Sequence, residues 1–443
     1  MHRAGSRIAI RLIASLSVLI SGVSSTAAQV EKNIYRFAGT PDGEAPNGEL
    51  VADRAGNLYG TTILGGAHGF GTVFELKRNA NGSYTETVLY SFASNPDGAN
   101  PAGGVVLDEA GNLYGTTYYG GGSPSINSGI AYELSPPAKG GTQWVESILF
   151  DFSTSISAVG ANPAGSLVFD SAGNLYGAAA AGGGGDALFC GDAGCGDIFQ
   201  LQPPSVAGGV WTANDIHDFL VIPQSDGIAP EGLAMSADGK LYGYTAGGAI
   251  WINQLGGFYS NKGGGVYRLS PSNGGGQWEE QLLYLFQYNS DPSGIALGSD
   301  NQVFVSTRYS GDDFGPGSIV ELTPSSSGVI WSENVIYTFT GGADGKSPEA
   351  PPLLDPMGDL YVTTAFGGTN NCAGSTEPNC GTFVKLTPNG NGTYTESTIF
   401  EFNQAGYNPE GGLLLRNGFF IGANFAGGTT TGQGPGTIFE IRP

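Results

Sequence analysis

Three glutamates stand at the same place in three similar segments of the chain, and their type and spacing could support chemistry. Glu231, Glu349 and Glu410 each follow a proline that begins a short segment with apolar residues. Carboxylates that crowd one opening repel each other, and a bound cation or raised pKa values relieve the repulsion. The pattern predicts a metal site for a cation such as calcium, or an acid–base cluster. The alternative is three solvated acids that line a wet funnel, with no cofactor required.

Aromatic and charged side chains form a second group of candidates, in glycine-rich segments between apolar strands. Aromatic rings among polar groups are typical of sugar sites, because the ring faces stack and the polar groups form hydrogen bonds. The alternative is ordinary packing within loops. The densest segment, STRYSGDDFG, adds Asp312 as a catalytic candidate beside Arg308 and Tyr309. The predicted ligand-binding residues are Tyr118, Tyr119, Trp251, Tyr259, Arg308, Tyr309 and Asp313.

The four cysteines fall into two close pairs, Cys190 with Cys195 and Cys372 with Cys380. This spacing predicts two local disulfides in an exported protein. A zinc site with four cysteine ligands is the alternative, and the spacings fit it poorly. The sequence offers no Ser-His-Asp or Cys-His arrangement and no phosphate-binding loop of the P-loop kind.

Internal repeats determine where these candidates lie. The word NLYGTT at Asn57 is the first of seven similar copies along the chain. A second word, such as GTVFEL at Gly71, follows each of them. A third word, as in YTETVLYSF at Tyr84, occurs six times, and its seventh copy is VEKNIYRF at Val30. The fourth word contains the proline, as in NPAGGVVLD at Asn100.

Each word is short, rich in β-branched and aromatic residues and bounded by turn residues, which predicts a β-strand. Four strands in each of seven units predict an all-β fold, a seven-bladed β-propeller with four antiparallel strands per blade. The displaced third word predicts that Val30–Phe37 pairs with Gly436–Ile441, so that the N-terminal strand closes the last blade. A closed ring also limits exposed strand edges.

We name the strands of a blade a to d from the axis to the rim. Strand a holds the proline word, b the LYG word, c the GTVFEL word and d the VLYSF word. Because neighbouring strands alternate in direction, the b–c and d–a loops are predicted to share one face of the ring. The b–c loops vary most, and variable loops on a rigid scaffold favour that face as the functional one. The residues after the seven strand-a prolines are expected to rim the channel there.

The turn between strands a and b, DEAGN at Asp108, recurs as DRAGN at Asp53 and DSAGN at Asp170. Asp is predicted to accept hydrogen bonds from the backbone and Gly to supply a positive φ. A calcium loop is the alternative, although the copies lack a full set of oxygen ligands. The Gly of LYG predicts that a neighbouring blade comes close.

The words NLYGTT and GTVFEL resemble the GloVer tandem repeat of Gloeobacter and Verrucomicrobia proteins, over about Val30 to Ile441. The resemblance implies a propeller-like bacterial protein, extracellular or associated with the envelope, and it carries over no catalytic residues. Family members often have a carboxy-terminal anchor segment, which the final GTIFEIRP does not match. The turn DSAGNLYG is also similar to turns of NHL-type propellers, which bind macromolecules or, in some members, catalyse reactions.

Residues 1–28 have the features of a secretory signal peptide, with Arg3, Arg7 and Arg11 before an apolar run and small residues up to Ala28. Residues 29–443 are then predicted to form one propeller domain that is secreted, periplasmic or at the cell surface. Loss of the three arginines takes the formal net charge from −22 to −25. Such an acidic chain disfavours nucleic acid and anionic lipid. We expect a monomer without a membrane span.

These features predict that the b–c/d–a face binds an extracellular polysaccharide or a cell-envelope protein. Two alternatives remain open: a glycan-cleaving enzyme, either a hydrolase or a polysaccharide lyase, and a structural matrix or adhesion protein. A hydrolase requires two carboxyl groups about 5–10 Å apart. A lyase requires a base beside a cation or an arginine that neutralises a uronate.

Overall fold

The computed structural model describes the chain from residue 31 to residue 442 with short gaps. The described residues are 31–123, 126–154, 159–183, 190, 194–206, 208–220, 227–247, 250–252, 258–260, 263–271, 278–286, 290–299, 301–311, 314–372, 379–429 and 434–442. The predicted signal peptide lies outside them.

Seven antiparallel blade sheets form the ring, as the repeat predicts; six have four strands, and in the seventh strand a is divided into two short strands that both pair with strand b. Blade 1 contains β2 (Gly43–Ala52), β3 (Leu58–Gly65), β4 (Thr72–Arg78) and β5 (Tyr84–Ser91). Blade 2 contains β7 (Val106–Leu107), β8 (Leu113–Thr117), β10 (Ile130–Ser135) and β11 (Val145–Asp151), with the small pair β6 (Gly98–Ala99) and β9 (Tyr119–Gly120) beside it. A 3-10 turn, Phe152–Thr154, follows β11. Blade 3 contains β12 (Ala161–Phe169), β13 (Leu175–Ala181), β14 (Asp197–Gln202) and β15 (Thr212–Asp218).

The remaining blades repeat the same order. Blade 4 contains β16 (Ile228–Met235), β17 (Leu241–Gly247), β20 (Gly265–Ser270) and β21 (Glu279–Leu285), with the hairpin β18 (Ile250–Ile252) and β19 (Phe258–Ser260) in its b–c loop. Blade 5 contains β22 (Pro292–Leu297), β23 (Val303–Thr307), β24 (Ser318–Pro324) and β25 (Trp331–Thr338). Blade 6 contains β26 (Leu353–Leu354), β27 (Leu360–Thr364), β28 (Thr382–Pro388) and β29 (Tyr394–Glu401). Blade 7 contains β30 (Tyr407–Pro409), β31 (Leu414–Arg416), β32 (Phe419–Ala426) and β33 (Thr437–Ile441).

The first strand of the ring, β1 (Glu31–Arg36), supplies strand d of blade 7. It pairs antiparallel with β33, and the register sets Asn33 opposite Phe439 and Tyr35 opposite Ile438. The prediction that the amino-terminal strand closes the ring is therefore confirmed, and the chain forms a seven-bladed β-propeller.

Apolar side chains fill the spaces between neighbouring blades. The described residues form seven clusters, and each cluster joins two adjacent blades. Between blades 5 and 6, for example, Phe304 and Ile319 meet Leu360 and Val384, all four at most 3% exposed. Because both faces of each sheet are buried, the strands read as apolar runs without strict alternation.

The glycine of the LYG word makes room within its own blade, and the expected approach of a neighbouring blade is wrong at this position. A Cβ atom on Gly60 would lie 2.7 Å from the ring of Phe74, which stands opposite it on strand c. The same Gly–aromatic pairs are Gly115–Tyr132, Gly177–Phe199, Gly243–Tyr267 and Gly422–Phe439. Blades 5 and 6 have Val–Val pairs instead, Val305–Val320 and Val362–Val384. The glycine therefore compensates for a large ring on the facing strand.

The aspartate of the a–b turn is satisfied by protein donors. Asp53 Oδ1 accepts hydrogen bonds from the backbone N–H groups of Gly56 (2.7 Å) and Asn57 (2.9 Å), and Oδ2 accepts one from Asn57 Nδ2 (2.8 Å). Asp108 and Asp170 also accept two backbone N–H bonds and one asparagine Nδ2 bond within their turns, with the alanine N–H in place of the glycine N–H. These bonds use the carboxylate oxygens to hold the turn, which favours the turn interpretation over the calcium loop.

Candidate functional site

The residues that follow the strand-a prolines surround a cavity of about 710 Å³ at the centre of the ring. All seven blades contribute one such residue to the lining: Asn47, Ala102, Ala164, Glu231, Ser293, Glu349 and Glu410. The innermost strands approach so closely that a side chain at Gly103 would overlap the carbonyl oxygen of Gly165 in the next blade. Glycine after the post-proline residue, as in PAG at Pro101, therefore allows the innermost strands of neighbouring blades to come close together.

Arg308 lies among the acidic residues of three consecutive blades. It extends from the end of β23 and forms ion pairs through Nη1 with Asp291 (3.2 Å), through Nη2 with Glu231 (3.7 Å) and through Nε with Glu349. Ser347 supports the arrangement, because its hydroxyl donates to Glu349 Oε1 (2.9 Å). The side chains of Arg308 and Glu349 are only 26% and 18% exposed, so the pair is screened less than a surface pair. The structure thus brings together Glu231, Glu349 and Arg308.

Asp291 is a member of this cluster that the sequence analysis missed. It precedes the strand-a proline of blade 5, and the pairing of Pro292 with Thr307 sets it beside Arg308. The backbone N–H of Arg308 also donates to the Asp291 carbonyl oxygen (2.9 Å). The proline and the ST dipeptide define the register of strands a and b, but this register does not give the direction of the Asp291 side chain.

The electrostatic environment differs between the members of the cluster. Burial opposes the charge of Arg308, but Glu349, Asp291 and Glu231 together raise its pKa. Burial raises the pKa of Glu231, and Arg308 opposes that effect. Burial in the channel, reinforced by the charge of Glu349, raises the pKa of Glu410 to about 7, again with Arg308 in opposition. Glu410 is therefore partly protonated near neutral pH, while Arg308 stays charged.

The channel contains one further acid, Glu49, which the sequence analysis did not select. It lies two residues beyond the post-proline position of blade 1 and also lines the cavity. The burial of its carboxyl by the surrounding walls raises its pKa. Four glutamates, Glu49, Glu231, Glu349 and Glu410, and one arginine thus face the same space, which makes the channel acidic.

Arg308 would compete with a cation at the predicted site of Glu231, Glu349 and Glu410. It already forms ion pairs with Glu231 and Glu349. In the part of the chain that the structure describes, the one group of three acidic, His or Cys side chains with ligand atoms within 4.8 Å of each other is Asp197, Asp215 and Asp218. A cation at the three glutamates stays a prediction.

Tyr118 is the predicted aromatic residue that lines the cavity. It occupies in blade 2 the position that Arg308 has in blade 5, directly after strand b. Its ring packs edge to face on Tyr119, with centroids 4.8 Å apart, and Tyr119 is 42% exposed. Burial raises the pKa of Tyr118, and Tyr119 and Glu231 contribute to the shift. Tyr118 therefore shares the electrostatic environment of the acidic cluster.

The other predicted ligand-binding residues lie away from the cavity lining or outside the described side chains. Tyr309 packs edge to face on Phe314, with centroids 5.2 Å apart. Trp251 and Tyr259 pair across the hairpin of blade 4, for which only the backbone is described. Asp312 and Asp313 lie outside the described residues.

Both predicted disulfides are present, Cys190–Cys195 and Cys372–Cys380, with Cα atoms 5.1 Å and 5.4 Å apart. They belong to the b–c loops of blades 3 and 6, on the same face as the mouth of the channel. Local disulfides of this kind are typical of proteins outside the cytosol. Within the described residues, no helix has the length and apolar character that a membrane crossing needs.

We expect the substitution Glu410→Gln to weaken the pH dependence of stability. The Glu410 pKa of about 7 in the folded chain exceeds the value of 4.5 for an unperturbed glutamate. The folded state then keeps a proton that the unfolded state releases, so the contribution of Glu410 is full below pH 4.5 and is lost as the pH rises through 7. Gln cannot ionise, so the variant should gain about 1–2 kcal/mol over the parent at pH 8. Urea unfolding at a series of pH values measures the difference.

Glu109 is the matched control, because it is exposed in the a–b turn on the opposite face of the ring. Glu109→Gln should leave the pH profile unchanged. Burial also raises the pKa values of Glu86 and Glu146 at the rim to about 7, so the slope should shrink in Glu410→Gln without vanishing. Identical profiles for the parent and Glu410→Gln would contradict the expected protonation.

The sequence comparisons identify the repeat. Residues 20–188 match the model of the Gloeobacter/Verrucomicrobia repeat. Residues 209–252 match the model of the strictosidine synthase-like N-terminal region. No curated protein matches this chain in sequence.

Solved structures share the fold at low sequence identity. Virginiamycin B lyase from Staphylococcus aureus is 14% identical, with a TM-score of 0.52, over 94% of this chain and 99% of that one. A streptogramin B lyase is 15% identical, with a TM-score of 0.51, over 94% of this chain and 97% of that one. At these identities the likeness concerns the fold alone.

Proposed function

We propose that the channel mouth of this chain, whose residues 20–188 match the Gloeobacter/Verrucomicrobia repeat, binds the end or a branch of an extracellular polysaccharide. The observation that carries the proposal is the central cavity of about 710 Å³, which is lined by two tyrosines, an arginine and four glutamates. Sites for small ligands have volumes of about 300–1,000 Å³. A cavity of this size can hold a few sugar units, but not a long segment of a polysaccharide.

The chemistry of the lining supports a hydroxyl-rich ligand. Carboxylates accept hydrogen bonds from sugar hydroxyl groups, and the ring of Tyr118 offers a surface for the apolar face of a sugar. The excess of glutamate over arginine repels uronates and favours neutral or amino-bearing sugars. Two disulfides and the predicted signal peptide support a location outside the cytosol, where such glycans occur.

The substitution Tyr118→Ala is expected to weaken glycan binding about tenfold, because it removes a half-buried aromatic ring from the cavity lining. A glycan array first identifies a ligand among neutral, amino-bearing and uronate oligosaccharides, and isothermal titration calorimetry then measures its dissociation constant. Neutral or amino-bearing oligosaccharides should bind, and uronates should bind least.

Tyr119→Ala is the matched control, since Tyr119 is adjacent and exposed but does not line the cavity. Its effect on the dissociation constant should stay within about twofold. Equal losses in both variants would place the ligand on the loop surface and not in the channel. A chain that binds none of the glycans and yields no product would support the structural or adhesion role instead.

A glycan hydrolase is the second candidate, and the pair of Glu410 and Glu349 favours it. Burial raises the pKa of Glu410 to about 7, whereas Glu349 is ion-paired with Arg308. Two neighbouring carboxyl groups in unlike environments are typical of an acid and its ionised partner. New reducing ends in the presence of the parent, and their loss in Glu410→Gln, would support hydrolysis over binding alone.

The lyase alternative receives less support from the cluster. A lyase needs a positive charge to neutralise a uronate carboxylate. Arg308 already forms ion pairs with Asp291, Glu231 and Glu349, so its charge is compensated before a ligand arrives. An assay for unsaturated products on uronate-containing polysaccharide should therefore be negative.

A further inference from the structure

Blade 3 contains a second acidic cluster, separate from the channel. Asp197 begins β14, and Asp215 and Asp218 lie on the neighbouring strand β15. One carboxylate oxygen of each lies within 4.8 Å of the others. Asp197 is fully buried, whereas Asp215 is exposed, so the cluster reaches from the interior of the blade to solvent.

Both carboxylate oxygens of Asp197 are buried, and within the described part of the chain neither accepts a hydrogen bond. A buried carboxylate without a donor or counter-ion loses its hydration and gains nothing in exchange, which costs several kcal/mol. The neighbouring Asp215 and Asp218 add repulsion. Asp197 therefore has no hydrogen-bond donor among the described residues that would stabilise its charge.

The other blades explain why Asp197 lacks a donor. At its position strand c carries Thr72 in blade 1, Ser318 in blade 5 and Thr382 in blade 6, and each hydroxyl pairs with a threonine of strand b. The hydroxyl distances are 2.7 Å for Thr62–Thr72, 2.8 Å for Thr307–Ser318 and 2.8 Å for Thr364–Thr382. In blade 3 the residue opposite Asp197 is Ala179. Blade 3 thus has a carboxylate in place of a hydroxyl and has lost the partner.

Two glycines leave space around the carboxylates. A Cβ atom on Gly160 would lie 2.5 Å from Asp197 Oδ1, and one on Gly183 would lie 2.6 Å from Asp218 Oδ1. The disulfide Cys190–Cys195 ends two residues before Asp197 and restrains the chain that leads into β14. The surroundings therefore hold Asp197 in place while they keep bulky side chains away from the cluster.

We propose that Asp197, Asp215 and Asp218 bind a divalent cation, with calcium as the preferred ion. Carboxylate oxygens are the ligands that calcium prefers, and it bonds them at about 2.3–2.6 Å, which places ligand oxygens at the separations that this cluster allows. The exposed Asp215 offers an entry path, and water molecules can complete the coordination there. A cation compensates all three carboxylates at once, whereas one proton neutralises only a single member. This proposal is independent of the ligand of the channel.

The full mature chain, freed of metal with a chelator, provides the test. Titration calorimetry with CaCl₂, MgCl₂ and MnCl₂ should give one site per chain, with calcium bound most tightly. Calcium at about 100 times its dissociation constant should raise the Tm by several degrees, because it binds the folded state alone. The single variant Asp197→Asn should weaken binding about 100-fold or more.

A double variant keeps the test independent of folding. Asp197→Thr with Ala179→Thr restores the hydroxyl pair of blades 1, 5 and 6, so this variant should fold and should show no change in Tm with calcium. Glu109→Gln, at an exposed acid in the a–b turn of blade 2, is the control that should retain full calcium binding. Failure of the parent to bind any of the three ions, or equal calcium binding by the parent and the double variant, would overturn the proposal.

Discussion

Deletion of residues 31–36 is expected to lower the free energy of unfolding by at least about 5 kcal/mol and the Tm by about 10 °C. The segment is strand d of blade 7, and its removal exposes the edge of β33. Ile34 and Tyr35 also pack on the cluster between blades 7 and 1, which includes Phe37 and Phe74. Thermal unfolding followed by circular dichroism measures the change.

A circular permutant is the control for this deletion. Residues 31–37 are moved behind Pro443 and joined by a copy of the Asn389–Thr393 loop, which connects strands c and d in blade 6. Strand d then pairs with β33 as before, although the covalent link between blades 7 and 1 is lost. The permutant should recover more than half of the lost stability. A deletion variant that melts within about 1 °C of the parent would show that β1 does not hold the ring together.

The architecture was predictable because each blade buries both of its faces in the same way. Four apolar words in constant order determine four strands, and the third word displaced to Val30 determines where the ring closes. Burial between blades then follows from the repeat without knowledge of any single contact. The constant order of the four words along the chain was therefore sufficient to predict the fold.

The local cause of the LYG glycine was harder to predict. The glycine pairs with an aromatic residue in five blades, and Val305 and Val362 pair with valines in the other two. The replacement of a glycine–aromatic pair by a valine–valine pair is visible in the sequence once strands b and c are aligned. Periodicity alone cannot show whether the missing side chain makes room for the same blade or for its neighbour.

The channel positions were predictable, but the ion pairs of Arg308 were not. The residue before each strand-a proline, Asp291 among them, has a positive φ, between 48° and 59° in all seven blades. These residues include alanine, asparagine, aspartate and serine, so no residue type marks the conformation in the sequence. The direction of the Asp291 side chain toward Arg308 depends on this backbone geometry. The cluster could therefore be inferred only as a rim of acids.

The substitution Arg308→Gln is expected to destabilise the fold by about 2–4 kcal/mol at pH 8, because it leaves Glu231, Asp291 and Glu349 without their counter-charge. The pairs join blades 4, 5 and 6, so the loss acts on two blade interfaces. Urea unfolding at fixed ionic strength measures the change. High salt should reduce the difference in unfolding free energy between the parent and Arg308→Gln only slightly, because salt screens partly buried charges less than exposed ones.

The effect should depend on pH in a direction that distinguishes charge from packing. Burial raises the pKa values of Glu231 and Glu410, and without Arg308 the charge that opposes this increase is lost. The folded variant then binds protons that the unfolded chain releases, so its stability falls as the pH rises through the raised pKa values. At pH 5 the deficit relative to the parent should be about half of that at pH 8. A deficit that stays constant with pH would assign the loss to packing of the arginine stem.

Two further variants test whether the effect comes from the ion pairs of Arg308 or from other contacts in the channel. Arg54→Gln removes an arginine whose ion pair with Glu109 is almost fully exposed, and it should cause no measurable change. The double variant Arg308→Gln with Glu349→Gln should be more stable at pH 8 than Arg308→Gln alone, because one uncompensated carboxylate is removed. If the double variant is instead less stable than either single variant, Glu349 stabilises the channel through contacts other than Arg308, and the arginine is not the centre of the cluster.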